Sequence, residues 1–251
     1  MKKLMSCAMD IGELMLTSGA EVHRVEDSMT RICHALGADR VDIFIITSSM
    51  VLTVHCPDGY VHTQTRRIRS LGTDFDKLDR LNNLSRKICS KEMSLEQIQS
   101  EIDNIKKGKS YPFWLECIIY AAIAGSFTIF FGGDLHQCVF SALIGVILRF
   151  AVLLSDNTVK NMIFSKFISA FTITALAFLV FKLGLIVKTD EVIIGNIMLL
   201  IPGLGFTNAF RDLFTGDSIA GILRILEAIL CAAAIAAGYF LFVFLTGGVS
   251  V

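Results

Sequence analysis

The residues with chemistry to offer are charged or polar groups set in apolar surroundings. Arg224 and Glu227 stand three apart in a long apolar run, so on a helix they share a face and could pair. Ionisable groups in such runs are costly and usually face a polar cavity. Glu227 falls about nine residues, or roughly 14 Å, into its helix, close to the middle of a bilayer. A carboxyl at low dielectric holds its proton more tightly unless it is paired, so Glu227 reads as a proton- or substrate-coupling group. Arg149 lies about one turn from the end of its own run and reads as a side chain that snorkels to the interface, with Glu116 nearer an interface.

A second feature is the run Ile201-Pro202-Gly203-Leu204-Gly205 inside an apolar stretch. Proline has no N–H and its ring clashes with the preceding turn. A helix broken at membrane depth frees backbone groups that only protein or a polar cavity can receive. Such breaks in transporters form substrate sites. On that reading the N-terminus of the second half-helix holds a carboxylate. Asn196, Thr207 and Asn208 lie close enough in sequence to add hydrogen bonds, and Arg211 follows. A plain proline kink is the competing reading.

Two further constellations lie in the first hundred residues. His23, Glu26, Asp27 and His34 have spacings of three, four and eleven and could share one helix face. They are metal-type ligands. Without an HExxH motif they read as a polar or ion-paired face, and no metal is expected. Ser48, Ser49, His55 and Asp58 fall in or beside a hairpin without the GxSxG elbow of a hydrolase. These groups sustain only an alternative function, a membrane-tethered enzyme with a hydrolase-like or metal-dependent soluble domain. The expectation is that the chain is not an enzyme and has no cofactor.

The elements that must position these residues divide sharply. Mean hydropathy is +0.63 and the formal net charge is zero, but residues 112–251 hold only seven of the 23 Lys/Arg. The expected fold is an α-helical membrane protein with about five transmembrane helices preceded by a cytosolic α+β domain. The domains are 1–110 and 111–251. The start, MKKLMSCAMDIGELM, lacks the apolar core and cleavage site of a signal peptide. Cysteines 7, 33, 56, 89, 117, 138 and 231 form no CxxC pair and read as free thiols.

Apolar residues at helical spacing from Leu4 to Met15, then from Val22 to Leu36, predict two helices. Ser18 with Glu21 fits a capping box, and Gly37 a C-terminal stop. Strands are expected over 41–47, 49–55 and 60–68, with a Pro57-Asp58-Gly59 turn. Helices follow at 74–90 and 95–107, capped by Thr73 with Asp76 and Ser94 with Gln97. Spans are expected at 113–131, 135–154, 162–187, 192–210 and 218–246, each near the ~20 residues a bilayer needs. Lys106, Lys107, Lys109, Lys160, Lys166 and Arg211 flank one side, Lys182 and Lys188 the other. The N-terminus is therefore expected in the cytosol and the tail outside. Ala232-Ala233-Ala234 through Gly238 reads as helix packing.

Two stretches carry a family resemblance. Ser18-Gly19-Ala20-Glu21-Val22-His23-Arg24-Val25-Glu26-Asp27 resembles the N-terminal signature of the threonine/serine exporter family, with Gly19, Ala20, Glu21, Arg24 and Glu26 as its motif positions. Ile201-Pro202-Gly203-Leu204-Gly205 through Asp217 resembles its membrane signature. The resemblance implies proton-driven secondary export of small hydrophilic metabolites: threonine and serine, or for split members a dicarboxylate such as succinate. Fused members carry a second membrane module. This chain resembles the longer subunit of the split, two-protein version, which implies a second small membrane subunit as partner and allows an oligomer. The expected setting is the bacterial cytoplasmic membrane, with the lipid bilayer itself as a partner. No Walker sequence favours ATP-driven transport, and no basic stripe favours nucleic acid.

Overall fold

Periodicity sets the first elements. The computed structural model describes residues 2–91, 93–108, 111–158 and 161–247, with the side chains of Lys2 and 155–158 excepted. Helix α1 spans Lys2–Thr17 and α2 Val22–Ala35. Their apolar faces, including Ile11, Met15, Val25 and Met29, are fully buried. Strands β1 (Arg40–Ile46), β2 (Ser49–His55) and β3 (Val61–Arg67) form an antiparallel sheet in the order β1-β2-β3. Ile46 pairs with Ser49, which fixes a two-residue turn, and His55 pairs with Val61. The pleat alternates along β2, so Met50, Leu52 and Val54 enter the core. Helices α3 (Phe75–Cys89) and α4 (Leu95–Lys107) complete it with Leu81, Ile98, Ile102 and Ile105. Arg66 on β3 bridges Asp10 and Glu13 of α1, and Lys106 of α4 reaches Asp10 at 3.1 Å.

Two of three expected caps differ. Ser94 and Gln97 form the reciprocal box, with Ser94 N donating to Gln97 Oε1 at 2.8 Å. At α3 the cap is Asp74, whose Oδ1 accepts from Lys77 N at 3.0 Å, rather than Thr73 with Asp76. Ser18 and Glu21 make no box: α2 starts at Val22 and Glu21 offers it no side-chain bond.

The apolar half is helical. Helices α5 (Phe113–Phe130), α6 (Leu135–Thr158), α7 (Met162–Lys182) and α10 (Ser218–Leu245) are long and apolar enough to cross a bilayer. Their outward faces expose many large apolar side chains, a surface suited to lipid and unsuited to water. The fifth expected span, 192–210, is not a continuous helix. It consists of α8 (Asp190–Ile197) and α9 (Gly203–Thr215). After α8 the chain tightens into i→i−3 bonds, Leu199 N to Asn196 O and Leu200 N to Ile197 O. Pro202 then removes the donor that would continue the ladder. Eight residues make α8 about 12 Å long, too short to cross alone.

The chain forms two compact units. One comprises Met1–Lys109 with Leu204–Leu226, the other Ser110–Gly203 with Glu227–Val251. They differ from the sequence division at 110/111 in that Leu204–Leu226, comprising nearly all of α9 and the first turns of α10, belongs with the N-terminal residues. Ala220 of α10 lies in the core of the first unit. In the second unit α10 packs on α7 at Gly238, where a Cβ would stand 2.4 Å from the Phe167 carbonyl oxygen. This is the close approach that the small-residue run allows.

Candidate functional site

In the first unit a helical hairpin meets the start of α2. Helix α9 ends at Thr215, Gly216 turns the chain at φ +99°, and α10 begins at Ser218. The arms are tight: a Cβ on Gly221 would stand 2.9 Å from Ala209 O. The hairpin brings Asn208, Arg211, Asp212 and Arg224 to the segment Gly19–Val22. Gly19 adopts φ +96°, a left-handed turn that glycine tolerates. Asn208 Nδ2 donates to Gly19 O at 2.9 Å, and Arg224 Nη2 donates to Ala20 O at 3.1 Å. Glu21 is ion-paired to Arg211. The orphan N–H at the start of α2, Val22 N, donates to Asp212 Oδ1 at 3.1 Å. The cap that sequence assigned to Ser18 thus comes from a residue 190 positions away. Sequence missed Asp212 because no local spacing marks it.

Asp212 is fully buried and Arg224 is 6% exposed. Arg224 Nε lies 3.3 Å from Asp212 Oδ2, a charge contact without hydrogen-bond alignment, since neither atom has a bond of acceptable geometry. Arg224 contacts Asp212 and Ala20, and pairing with Glu227 is the expectation from their spacing. Burial, with Asp217 adding repulsion, raises Glu26 to about 7, against lowering by the Ile45 backbone N–H and His23. Arg24 is exposed.

The other constellations of the first unit are dispersed. His34 Nδ1 contacts Ala38 O at 3.0 Å, and Asp27 pairs with Arg31. No group of three or more metal-type ligands converges among the described residues. His55 faces Asp42 at 3.3 Å rather than Asp58, and Ser49 Oγ donates to Arg66 O. Asp58 accepts from Tyr60 N, while Ser48 lies in the tight turn.

In the second unit Arg149 does not snorkel. Its Nε donates to Glu116 at 2.8 Å, and its guanidinium lies over Phe113 and Tyr120 at 5.4 and 5.7 Å. Asn196 is fully buried, and its Nδ2 donates to Ser141 Oγ at 2.8 Å and Val192 O at 2.9 Å. Those donors are spent, and only its acceptor oxygen lacks a partner, so Asn196 cannot hold a carboxylate as expected. Ser141 in turn accepts from Thr128 at 2.6 Å, a polar cluster joining α5, α6 and α8. Pro202 is half-buried, while Gly203, Gly205, Thr207 and Glu227 are exposed.

The two segments singled out by resemblance, 18–27 and 201–217, thus meet through Gly19, Ala20, Glu21, Asn208 and Arg211. The model of the family described as "Putative threonine/serine exporter" matches residues 6–246. The chain belongs to the threonine/serine exporter family. It is a membrane-transport protein and not an enzyme, which removes the membrane-tethered enzyme alternative. The "Probable succinate transporter subunit YjjP" of Klebsiella aerogenes is 26% identical over 84% of this chain and 81% of its own length. The "Probable threonine/serine exporter" of Mycobacterium tuberculosis is 25% identical over 94% of this chain but 45% of its own length. For the "Threonine/serine exporter" of Corynebacterium glutamicum the values are 23%, 94% and 50%. The chain therefore spans about half the length of these two exporters. No solved structure matches it.

Proposed function

We propose that the chain is one subunit of a proton-driven exporter of small hydrophilic metabolites, threonine/serine or a dicarboxylate such as succinate. A second small membrane subunit of the same family completes it. The observation that carries this reading is the place of the break. Gly203 is the last residue of one unit and Leu204 the first of the other unit's return segment. Helix α8 is anchored in its unit through Asn196, and α9 is clasped to α2 through Asn208, Arg211 and Asp212. A helix interrupted at a proline is a point where a transporter can bend for alternating access. Pro202, Gly203, Gly205 and Thr207 surround the break in sequence, and the N-terminus of α9 is the end suited to a substrate carboxylate. Arg224, Arg211 and Asn208 act as clasp residues beside the family positions Gly19, Ala20, Glu21, Arg24 and Glu26. Arg149 holds α5 to α6 through Glu116.

The setting is the bacterial cytoplasmic membrane with residues 1–109 in the cytosol. Lys106, Lys107, Lys166 and Arg211 favour that side; Lys109 and Lys160 lie outside the described residues. Helix α10, at 28 residues and about 42 Å, exceeds a hydrocarbon core about 30 Å thick. Counted back from Leu245, Glu227 then lies near the edge of the hydrocarbon, where it remains a candidate for proton coupling.

The test is efflux from cells making this chain with its small partner subunit. Pro202→Ala/Gly203→Ala heals the break and abolishes efflux at normal membrane abundance. Efflux at the parent rate removes the hinge and the carboxylate site together.

A further inference from the structure

The hairpin of α9 and the start of α10 turns its polar side chains inward and its large apolar side chains outward. At 3.6 residues per turn, Asn208 and Asp212 share one side of α9. That side is bonded to Gly19 and Val22. Phe206, Phe210 and Phe214 follow at steps of four on the opposite side, and all three are exposed, Phe214 at 87%. Their rings touch in succession, with centroids 4.9 and 6.5 Å apart. The first turns of α10 repeat the pattern. Arg224 is buried against Asp212, whereas Ile219, Ile222 and Leu226, at steps of three and four, are exposed. A helix on a water-soluble domain does the reverse and lays its apolar stripe on the core. An outward apolar face shared by two helices marks contact with something other than water.

Two features choose lipid over protein as the occupant. The α10 stripe does not stop where the first unit ends. Ile229 and Leu230 continue it, exposed on the same side of the same helix, into the stretch that crosses the bilayer. The outward face of the hairpin and the lipid-facing side of α10 are therefore one surface. Nor does any of Phe206, Phe210, Phe214, Ile219, Ile222 or Leu226 carry a polar atom. A protein interface has about one hydrogen bond per 100–200 Å². Length agrees with this choice. A helix of 28 residues is about 42 Å long. That matches a bilayer with its head groups, about 40–45 Å, rather than the hydrocarbon core alone. The first turns of α10 thus fall at head-group depth.

We propose that α9 and the start of α10 form a lipid-docking face. It is seated at the boundary of head groups and acyl chains, in the leaflet on the side of residues 1–109. Phe206, Phe210 and Phe214 enter the acyl chains, as the apolar side of an interfacial helix does. Asn208, Asp212 and Arg224 stay on the domain. The first unit is thereby held to the bilayer by its own return segment. This holds whatever solute is exported.

The sequence has a single tryptophan, Trp114. Trp114→Phe combined with Phe210→Trp, or with Phe214→Trp, places the only indole on this face. Each full-length variant is reconstituted in phosphatidylcholine vesicles with brominated acyl chains, and its emission is compared with that in unbrominated vesicles. Bromine lowers the emission of either indole about twofold or more, and iodide in the water has little effect. Quenching by iodide with none by bromine shows a face in water, and protection from both shows a face covered by protein, a second copy included. Either result overturns the proposal. The unsubstituted chain gives a second reading. A phospholipid bearing a photoactivated carbene precursor on its acyl chain leaves adducts on the peptides that hold Phe206, Phe210 and Phe214. Adducts on α5, α6 and α7 with none on those peptides overturn it as well.

Discussion

Asp212→Asn isolates the buried charge pair at the hairpin. The substitution keeps an oxygen able to accept from Val22 N, so the cap of α2 survives. It replaces the carboxylate oxygen 3.3 Å from Arg224 Nε by a neutral group. At an effective dielectric of 20, that separation corresponds to a gross attraction of about 5 kcal/mol, from which desolvation subtracts. The larger effect is what remains: a guanidinium 6% exposed, with its charge no longer countered by Asp212. Removing one member of a buried pair costs about 3–5 kcal/mol, against total stabilities of about 5–15 kcal/mol. Asp212→Ala also loses the cap and costs about 1 kcal/mol more. Asp212→Asn combined with Arg224→Gln removes both charges and recovers most of the loss. The assay is thermal unfolding of the detergent-purified chain with limited proteolysis of the first unit, repeated in high salt. A buried pair is little screened, so the loss persists there. An Asp212→Asn midpoint equal to the parent's, or a double variant no better than the single, refutes the assignment of the clasp as a coupled charge pair.

Two further outcomes follow from the geometry. Glu26 is raised to about 7 from an ordinary value near 4.5, so its contribution is full below about pH 4.5 and fades as pH rises through 7. The first unit therefore loses thermal stability between those limits, and Glu26→Gln flattens that part of the profile; an unchanged profile in Glu26→Gln shows that Glu26 is not the group responsible. For topology, a cysteine-free variant carrying Val251→Cys is labelled by an impermeant reagent in intact cells, whereas one carrying Asp103→Cys is not. The reverse pattern inverts the proposed orientation.

Regular periodicity made most elements legible. The strands and the helices at Phe75 and Leu95 lie within a residue or two of expectation, because alternation and helical spacing record burial directly. The box at Ser94 was readable because both partners are local. The start of α2 was not, since its cap is Asp212, and no local rule points across the chain. The contact of Arg224 with Asp212 is illegible for the same reason, since the two lie twelve residues apart on different helices. The break was readable from Pro202 and its glycines. Asn196 was singled out near it, but its amide serves Ser141 and Val192, a choice set by packing among α5, α6 and α8. Arg149 had a legible charge but an invisible partner, because Glu116 sits 33 residues earlier on another helix.

The remote cap on α2 also has a consequence for synthesis. The first unit needs Asp212, Ala220 and Arg224, yet its sheet and first four helices are finished by residue 109. At about 5–20 residues per second, the 117 residues up to Leu226 take roughly 6–23 s more. Throughout that interval the nascent domain has an open helix start and an unfilled place in its core while α5 to α7 are being delivered to the bilayer. A ribosome-bound chain halted before residue 204 is therefore expected to be cut in its first unit by protease faster than one halted after the hairpin has emerged. The order of translation leaves the domain that is begun first to be finished only after α5 to α7 have been made.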